Sequence, residues 1–225
     1  MSEDFFRPSE YTAALLLQLR RDPPCSGRVL EMGTGSGVIL AALAAAGARE
    51  LVGVDVEPEA VRRTDALLRA QGVERFRVHC GDLWQALADD RFDLVVFNPP
   101  QLPLQGEADG GHRLRSWSQG GRQGREVLDD FTDGLATHLA PRARALVTHS
   151  GFLALDDTMR RLAAHGLHGR VTQTVCVPLA ECKLRALPSR WVDDRLGRSL
   201  HRVGGYVFTD FHVVEIRHAP AVPRS

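Results

Sequence analysis

Of the 28 basic residues in this chain only Lys183 is a lysine, and 28 acidic residues balance them to a formal charge of zero. No global field therefore draws the molecule toward nucleic acid or an anionic membrane, although local arginine clusters remain possible. Cysteine is scarce: Cys25, Cys80, Cys176 and Cys182 are scattered without a Cys-x-x-Cys pair. That spacing predicts a reduced protein with no structural zinc site and no metal. A targeting signal is missing too, because Met1-Ser2-Glu3-Asp4 is acidic where a signal peptide would begin basic and turn apolar. The longest apolar stretch, Val38 to Ala46, is far too short to cross a bilayer. Internal repeats and low-complexity tracts are absent. These absences point to a cytoplasmic protein, and 225 residues at 44% hydrophobic content suffice for one sizeable core. A single domain over 1–225 is expected, with residues 1–24 as a lead-in helix region and 180–204 as an insertion before the last strand.

What is present is an alternating rhythm. Ser9 is placed to cap a helix carrying Leu15, Leu16 and Leu19 on one stripe, which Asp22-Pro23-Pro24 ends. Arg28 to Met32 reads as a strand, Gly33-Thr34-Gly35-Ser36-Gly37 as a glycine loop, and Val38 to Ala46 as a helix apolar all round and therefore buried. Strands follow at Leu51 to Val56 and Phe76 to Cys80, separated by a helix with Pro58 in its first turn. Phe92 to Phe97 is a continuous apolar run of the kind covered on both faces in a parallel sheet. A polar, glycine-rich segment, Leu102 to Gly124, interrupts the rhythm, and loops of that length are usually functional or disordered. Helices from Arg125 and Asp156 and strands at Ala145 to Thr148, Val171 to Val177 and Tyr206 to Ile216 complete the pattern. The prediction is a doubly wound, seven-stranded, mostly parallel α/β sheet with an antiparallel edge strand.

In such a sheet ligands bind at the carboxyl ends of the strands. Gly33, Gly35 and Gly37 let the backbone approach a ligand and leave helix N–H groups aimed at it. Asp55, ending the second strand, is placed to accept from ribose hydroxyls. Asp82 could take the amine of an adenine, and Leu83 could pack on the ring. A nicotinamide dinucleotide or S-adenosylmethionine would each suit these residues. The dinucleotide fingerprint needs a third glycine at position 38, which is Val38. Glu31, just before the loop, also disfavours a diphosphate and favours a cationic ligand, so S-adenosylmethionine is the expected cofactor. At the end of the fourth run stands Asn98-Pro99-Pro100-Gln101. Two prolines remove two backbone donors and fix φ, so the chain leaves the strand in one geometry. Such a stop is either a plain loop terminator or a clamp for a polar group.

Together these residues resemble the class I methyltransferases with a Rossmann-like fold, and within them the HemK/PrmC protein-glutamine methyltransferases, in particular the branch lacking a separate N-terminal domain. Phe6-Arg7-Pro8-Ser9-Glu10-Tyr11-Thr12, Phe97 to Pro100, and Gly120-Gly121-Arg122-Gln123-Gly124-Arg125-Glu126-Val127 carry the resemblance, which runs from about Phe6 to Thr148. It implies that Thr12, Glu31, Gly33, Asp55, Asp82, Leu83 and Asn98 line the cofactor site. It further implies that the Asn98 side-chain oxygen and the Pro99 carbonyl accept the two hydrogens of a planar NH2 group, orienting its nitrogen toward the methyl carbon.

Two departures leave the acceptor open. Gln101 stands where the family has an aromatic residue, with Trp117 a potential replacement and His149 a further rim residue. The arginine-rich 180–204 segment replaces a short connection, either as a solvated helix or as an element recognising an acidic group. The expected function is N-methylation of an amide or amine. A protein glutamine of release-factor type is the first substrate, a small-molecule or natural-product acceptor the alternative, and a catalytically inactive cofactor-binding partner protein a further one. Adenine methylation of nucleic acid, which also uses Asn-Pro-Pro, is disfavoured by zero net charge and the lack of an evident target-recognition domain.

Overall fold

The computed structural model describes residues 7–23, 27–103 and 118–220. One sheet of eight strands runs through it, ordered β3-β2-β1-β4-β5-β8-β6, with β7 also on β8. Helix α1 (Glu10–Arg21) leads in. It begins at a reciprocal cap in which the Ser9 hydroxyl accepts from the Thr12 N–H and the Thr12 hydroxyl accepts from the Ser9 N–H. Then come β1 (Arg28–Met32), α2 (Val38–Ala45), β2 (Glu50–Asp55), α3 (Pro58–Ala70), β3 (Phe76–Cys80), a 3-10 turn at Leu83–Ala86 and β4 (Phe92–Phe97). After the long loop, α4 (Glu126–His138), β5 (Leu139–Ser150), α5 (Leu155–Ala164) and β6 (Leu167–Pro178) follow. Two short helices, α6 (Glu181–Ala186) and α7 (Ser189–Arg195), then precede the hairpin β7 (Leu200–Val203) and β8 (Tyr206–His218).

Strands β1 to β5 pair in parallel, whereas β8 lies antiparallel between β5 and β6. The sheet is therefore mostly parallel with an antiparallel end, as the rhythm predicts, although β8 is the inserted strand and β6 the edge. Alternate residues of each strand face opposite layers. Leu30, Met32, Val95 and Phe97 pack with Phe131 and Leu135 of α4. Val29, Leu51, Leu94 and Val96 pack with Leu15, Leu40, Leu43 and Leu68 of α1, α2 and α3. Helix α2 differs from expectation. Ile39, Leu40, Ala41 and Leu43 are buried, but Ala45 is exposed, since its small side chains serve an outer face as well.

Residues 180–204 are neither one solvated helix nor a bare loop. Ala186, Leu187 and Leu200 form a third small core with Leu102, Phe152, Leu179 and Val207. Arg195 lies over the Trp191 ring at 4.0 Å and donates to the Phe152 carbonyl at 2.8 Å, so this arginine is spent inside the fold. Among the described residues no helix is long and apolar enough to cross a membrane.

Candidate active site

The strand order reverses between β1 and β4, and the crevice outside their carboxyl ends is where an open α/β sheet binds its ligand. Register puts the predicted residues side by side there. Met32 pairs with both Val54 and Phe97, so Gly33 leaves the sheet between Asp55 and Asn98. Gly33, Gly35 and Gly37 all have left-handed backbones, with φ of 68°, 49° and 76°. A side chain at any of the three would be strained. The loop is tied to β2 through Asp55. Its Oδ2 accepts from the Gly35 N–H at 2.8 Å and its Oδ1 from the Glu57 N–H at 2.9 Å. Asp55 thus shapes the glycine loop, a role its sequence position did not disclose, and each oxygen keeps one lone pair. Burial raises its pKa, against those backbone donors.

Glu31 is 4% exposed and accepts from the Leu40 N–H at 3.1 Å, in the first turn of α2. No cationic side chain pairs with it among the described residues, and burial pushes its pKa well up. A buried carboxylate of this kind is relieved by a cation, such as the ammonium or sulfonium of S-adenosylmethionine. Asp82 is exposed and opens the 3-10 turn. Leu83 follows with φ 44°, the one non-glycine residue with positive φ among those described. Such a conformation costs on the order of 1–3 kcal/mol and persists where the surroundings enforce it. The neighbouring Trp84 does so. Its indole N–H donates to the Phe131 carbonyl at 2.9 Å, and its ring stacks on His138 at 4.5 Å. The turn that would carry the adenine is thereby fastened to α4, and these residues fit the cofactor. Thr12 is half-buried at the start of α1, where its hydroxyl is engaged in the cap; the adjacent Tyr11 ring lies 4.2 Å from that of Phe211.

The clamp residues follow β4 directly. Asn98 Oδ1 accepts a 2.6 Å hydrogen bond from the hydroxyl of Thr148, which is fully buried. Pro99 is buried and Pro100 partly so. Gln101, expected at the acceptor in place of an aromatic ring, is instead 5% exposed and turned into the sheet. Its Nε2 donates to the Thr148 carbonyl at 2.8 Å and lies 3.3 Å from the Pro99 carbonyl, and its Oε1 accepts from the Ser150 N–H at 2.8 Å. His149 is 1% exposed and bonded through Nε2 to the Thr158 hydroxyl at 3.0 Å. Trp117 lies outside the described residues, as does most of the loop around it.

Glycines of the Gly120 to Val127 motif back the clamp. Leu102 donates to the Ser118 carbonyl at 2.7 Å and accepts from the Gly120 N–H at 3.1 Å. A Cβ on Gly120 would lie 2.5 Å from the Pro100 carbonyl oxygen, and one on Gly124 2.7 Å from that of Gln101. Neither backbone has a flexible end that could yield. Gly120→Ala is therefore expected to cost about 1–3 kcal/mol as an overpacked site. A fall in the urea midpoint at unchanged slope measures it, whereas an unshifted midpoint means the loop has room. Thr148, Ser150 and Thr158 were invisible in sequence, since each acts through a partner on another element.

Away from this crevice, Cys176, His201 and Asp210 converge from three strands. His201 Nε2 and Asp210 Oδ2 are already hydrogen-bonded at 2.8 Å, so the group is self-satisfied.

Residues 9–109 match the family model described as the methyltransferase small domain. The chain is 32% identical over 155 residues to a Methanocaldococcus jannaschii protein assigned as a protein N5-glutamine methyltransferase, covering 68% of this chain and 77% of that one. It is 38% identical over 136 residues to the release factor glutamine methyltransferase of Rhodospirillum rubrum, covering 59% of this chain but only 40% of that longer protein. The fold matches that of the YcgJ protein from Bacillus subtilis with a TM-score of 0.64 at 15% identity, over 93% of this chain and 99% of that one.

Proposed function

Because the chain belongs to the HemK-like methyltransferases, we propose that it methylates the side-chain amide nitrogen of a protein glutamine, of the kind found in a release-factor Gly-Gly-Gln motif. The observation that carries this reading is the position of two fixed acceptors, Asn98 Oδ1 and the Pro99 carbonyl, at the strand end beside the glycine loop. S-adenosylmethionine, when bound, supplies a methyl group on a sulfonium that leaves as a neutral thioether. Glu31, Gly33, Gly35, Gly37, Asp55, Asp82 and Leu83 would hold it, together with Thr12 at the rim. The protein's own task is to make a poor nucleophile attack. An amide nitrogen delocalises its lone pair, and positive charge develops on it as the N–C bond forms. Acceptors on both N–H groups fix its orientation and stabilise that charge without reorganising. Each acceptor oxygen already receives one hydrogen bond, from Thr148 or Gln101, and keeps a lone pair for the substrate. The amide proton is lost to solvent after transfer, so no general base is required beforehand.

The test is direct. Incubation with S-adenosylmethionine and a release-factor domain carrying Gly-Gly-Gln is expected to place one methyl on that glutamine, located by tandem mass spectrometry. Methylation of a small-molecule amide, with the protein glutamine left untouched, would overturn the proposal.

A further inference from the structure

We propose that Gln101 is a positioning residue that completes the β4–β5 ladder where Pro99 cannot, and so holds the clamp in its working geometry. This inference rests on the methyl-transfer reading above. The pairing of β4 with β5 ends in the register Val96 to Leu146 and Phe97 to Val147. Continued by two residues, it sets Pro99 opposite His149. In a parallel ladder a residue donates its N–H to the carbonyl preceding its partner and accepts from the N–H following it. Opposite His149 those groups are the Thr148 carbonyl and the Ser150 N–H. Pro99 has no N–H to give. The Gln101 carboxamide supplies the missing donor, to the Thr148 carbonyl, and also takes the place of the Pro99 carbonyl as acceptor for the Ser150 N–H, each at 2.8 Å.

This strut reaches the chemistry through two links. Thr148, whose carbonyl Gln101 holds, donates its hydroxyl to Asn98 Oδ1 at 2.6 Å and fixes the plane of that amide. Gln101 Nε2 also lies 3.3 Å from the Pro99 carbonyl, the second acceptor. Both acceptors are therefore set by one buried side chain that faces away from the substrate. The next residue, Leu102, is anchored in the small core formed by the 180–204 segment, so the strut is held from its far side. A residue turned inward cannot stack on the acceptor. Among the described residues the clamp is then held by hydrogen-bond geometry, and a shift of about an ångström in either oxygen is enough to cost on the order of 100-fold in rate.

The experiment compares Gln101→Leu, Gln101→Glu, Thr148→Val and Thr148→Ser, with Asn98→Ala as control, using the Gly-Gly-Gln domain and isothermal measurement of S-adenosylmethionine affinity. Gln101→Leu and Thr148→Val are expected to lower kcat by at least ~10-fold with cofactor Kd unchanged, because misplaced acceptors weaken the transition state only. Gln101→Glu, which keeps the acceptor but loses both donors, should behave like Gln101→Leu, whereas Thr148→Ser should retain kcat. Amide hydrogen exchange at Ser150 should rise at least ~10-fold in Gln101→Leu, independently of any acceptor. A folded Gln101→Leu enzyme with wild-type kcat, or with Ser150 exchange unchanged, overturns the inference. If Asn98→Ala also keeps wild-type turnover, the clamp reading itself fails; if Asn98→Ala is inactive while Gln101→Leu is not, only the strut fails.

Discussion

Asn98→Ala is expected to lower kcat by at least ~100-fold while the affinity for S-adenosylmethionine stays within about threefold, because one preorganised polar partner of the transition state is removed. The two quantities separate for a structural reason. The residues proposed to hold the cofactor lie at the start of α1 and at or just beyond the carboxyl ends of β1, β2 and β3, whereas Asn98 lies after β4, with its side chain bonded to Thr148. Alanine leaves the Thr148 hydroxyl without its acceptor and the substrate amide with only the Pro99 carbonyl. The nitrogen then rotates about one remaining bond, and the fraction of complexes aligned with the methyl group falls. Asn98→Asp restores an oxygen in the same place, and Thr148 can still donate to it, so it should lose less than Asn98→Ala. Single-turnover rates together with calorimetric cofactor affinity decide the matter. Wild-type turnover in Asn98→Ala would exclude the two-acceptor clamp, whereas a fall in cofactor affinity matching the fall in rate would move Asn98 into the cofactor site instead.

Much of this was legible in the chain itself, and the reason is geometric. Parallel strands place their carboxyl ends in one row, so residues that follow successive apolar runs become neighbours whatever their separation in sequence. Glu31, Gly33, Asp55, Asp82 and Asn98 could be grouped on that ground alone. The side of the chain to which a residue turns was not legible in the same way. Gln101 reads as a polar replacement for an aromatic wall, yet its partners Thr148 and Ser150 sit 47 and 49 residues away on a strand whose register no local pattern fixes. Asp55 reads as a ribose acceptor, yet both of its oxygens are bound by backbone N–H groups of flanking loops. The 180–204 segment was legible only as a break in rhythm. Helices of six and seven residues show too few turns for periodicity to reveal that Ala186, ending the first of them, and Leu187, just beyond it, pack into a small core with Phe152. The glycine motif after the long loop was recognisable by resemblance, but its purpose depends on the close approach of Gly120 and Gly124 to the clamp backbone.

His149 carries the second large effect, on stability rather than rate. Its ring is 1% exposed, and burial, reinforced by the nearby charges of His212 and Arg125, lowers its pKa from 6.5 to about 4. An imidazolium needs an acceptor at each nitrogen. Nε2 meets the Thr158 hydroxyl, which also accepts from Arg125 at 3.1 Å, while Nδ1 has no hydrogen-bond partner among the described residues. The folded protein therefore binds one proton fewer than the unfolded chain between those two pKa values, so stability rises with pH across that window. Nothing is lost above pH 6.5. As pH falls toward 4 the cost grows to about 3 kcal/mol and then levels off, at roughly 1.4 kcal/mol per pH unit. Glu31 acts in the opposite sense, since its raised pKa makes the folded state favour the proton and lose stability as pH rises. A single pH curve would mix the two. The gap between wild type and His149→Gln isolates the histidine, because Glu31 is common to both proteins. Urea unfolding from pH 7.5 to 4 should show wild type losing about 3 kcal/mol relative to His149→Gln, with the change confined to the interval below pH 6.5. Parallel curves would mean that His149 is protonated in the fold, and hence that water or a carboxylate reaches its ring from the acceptor side.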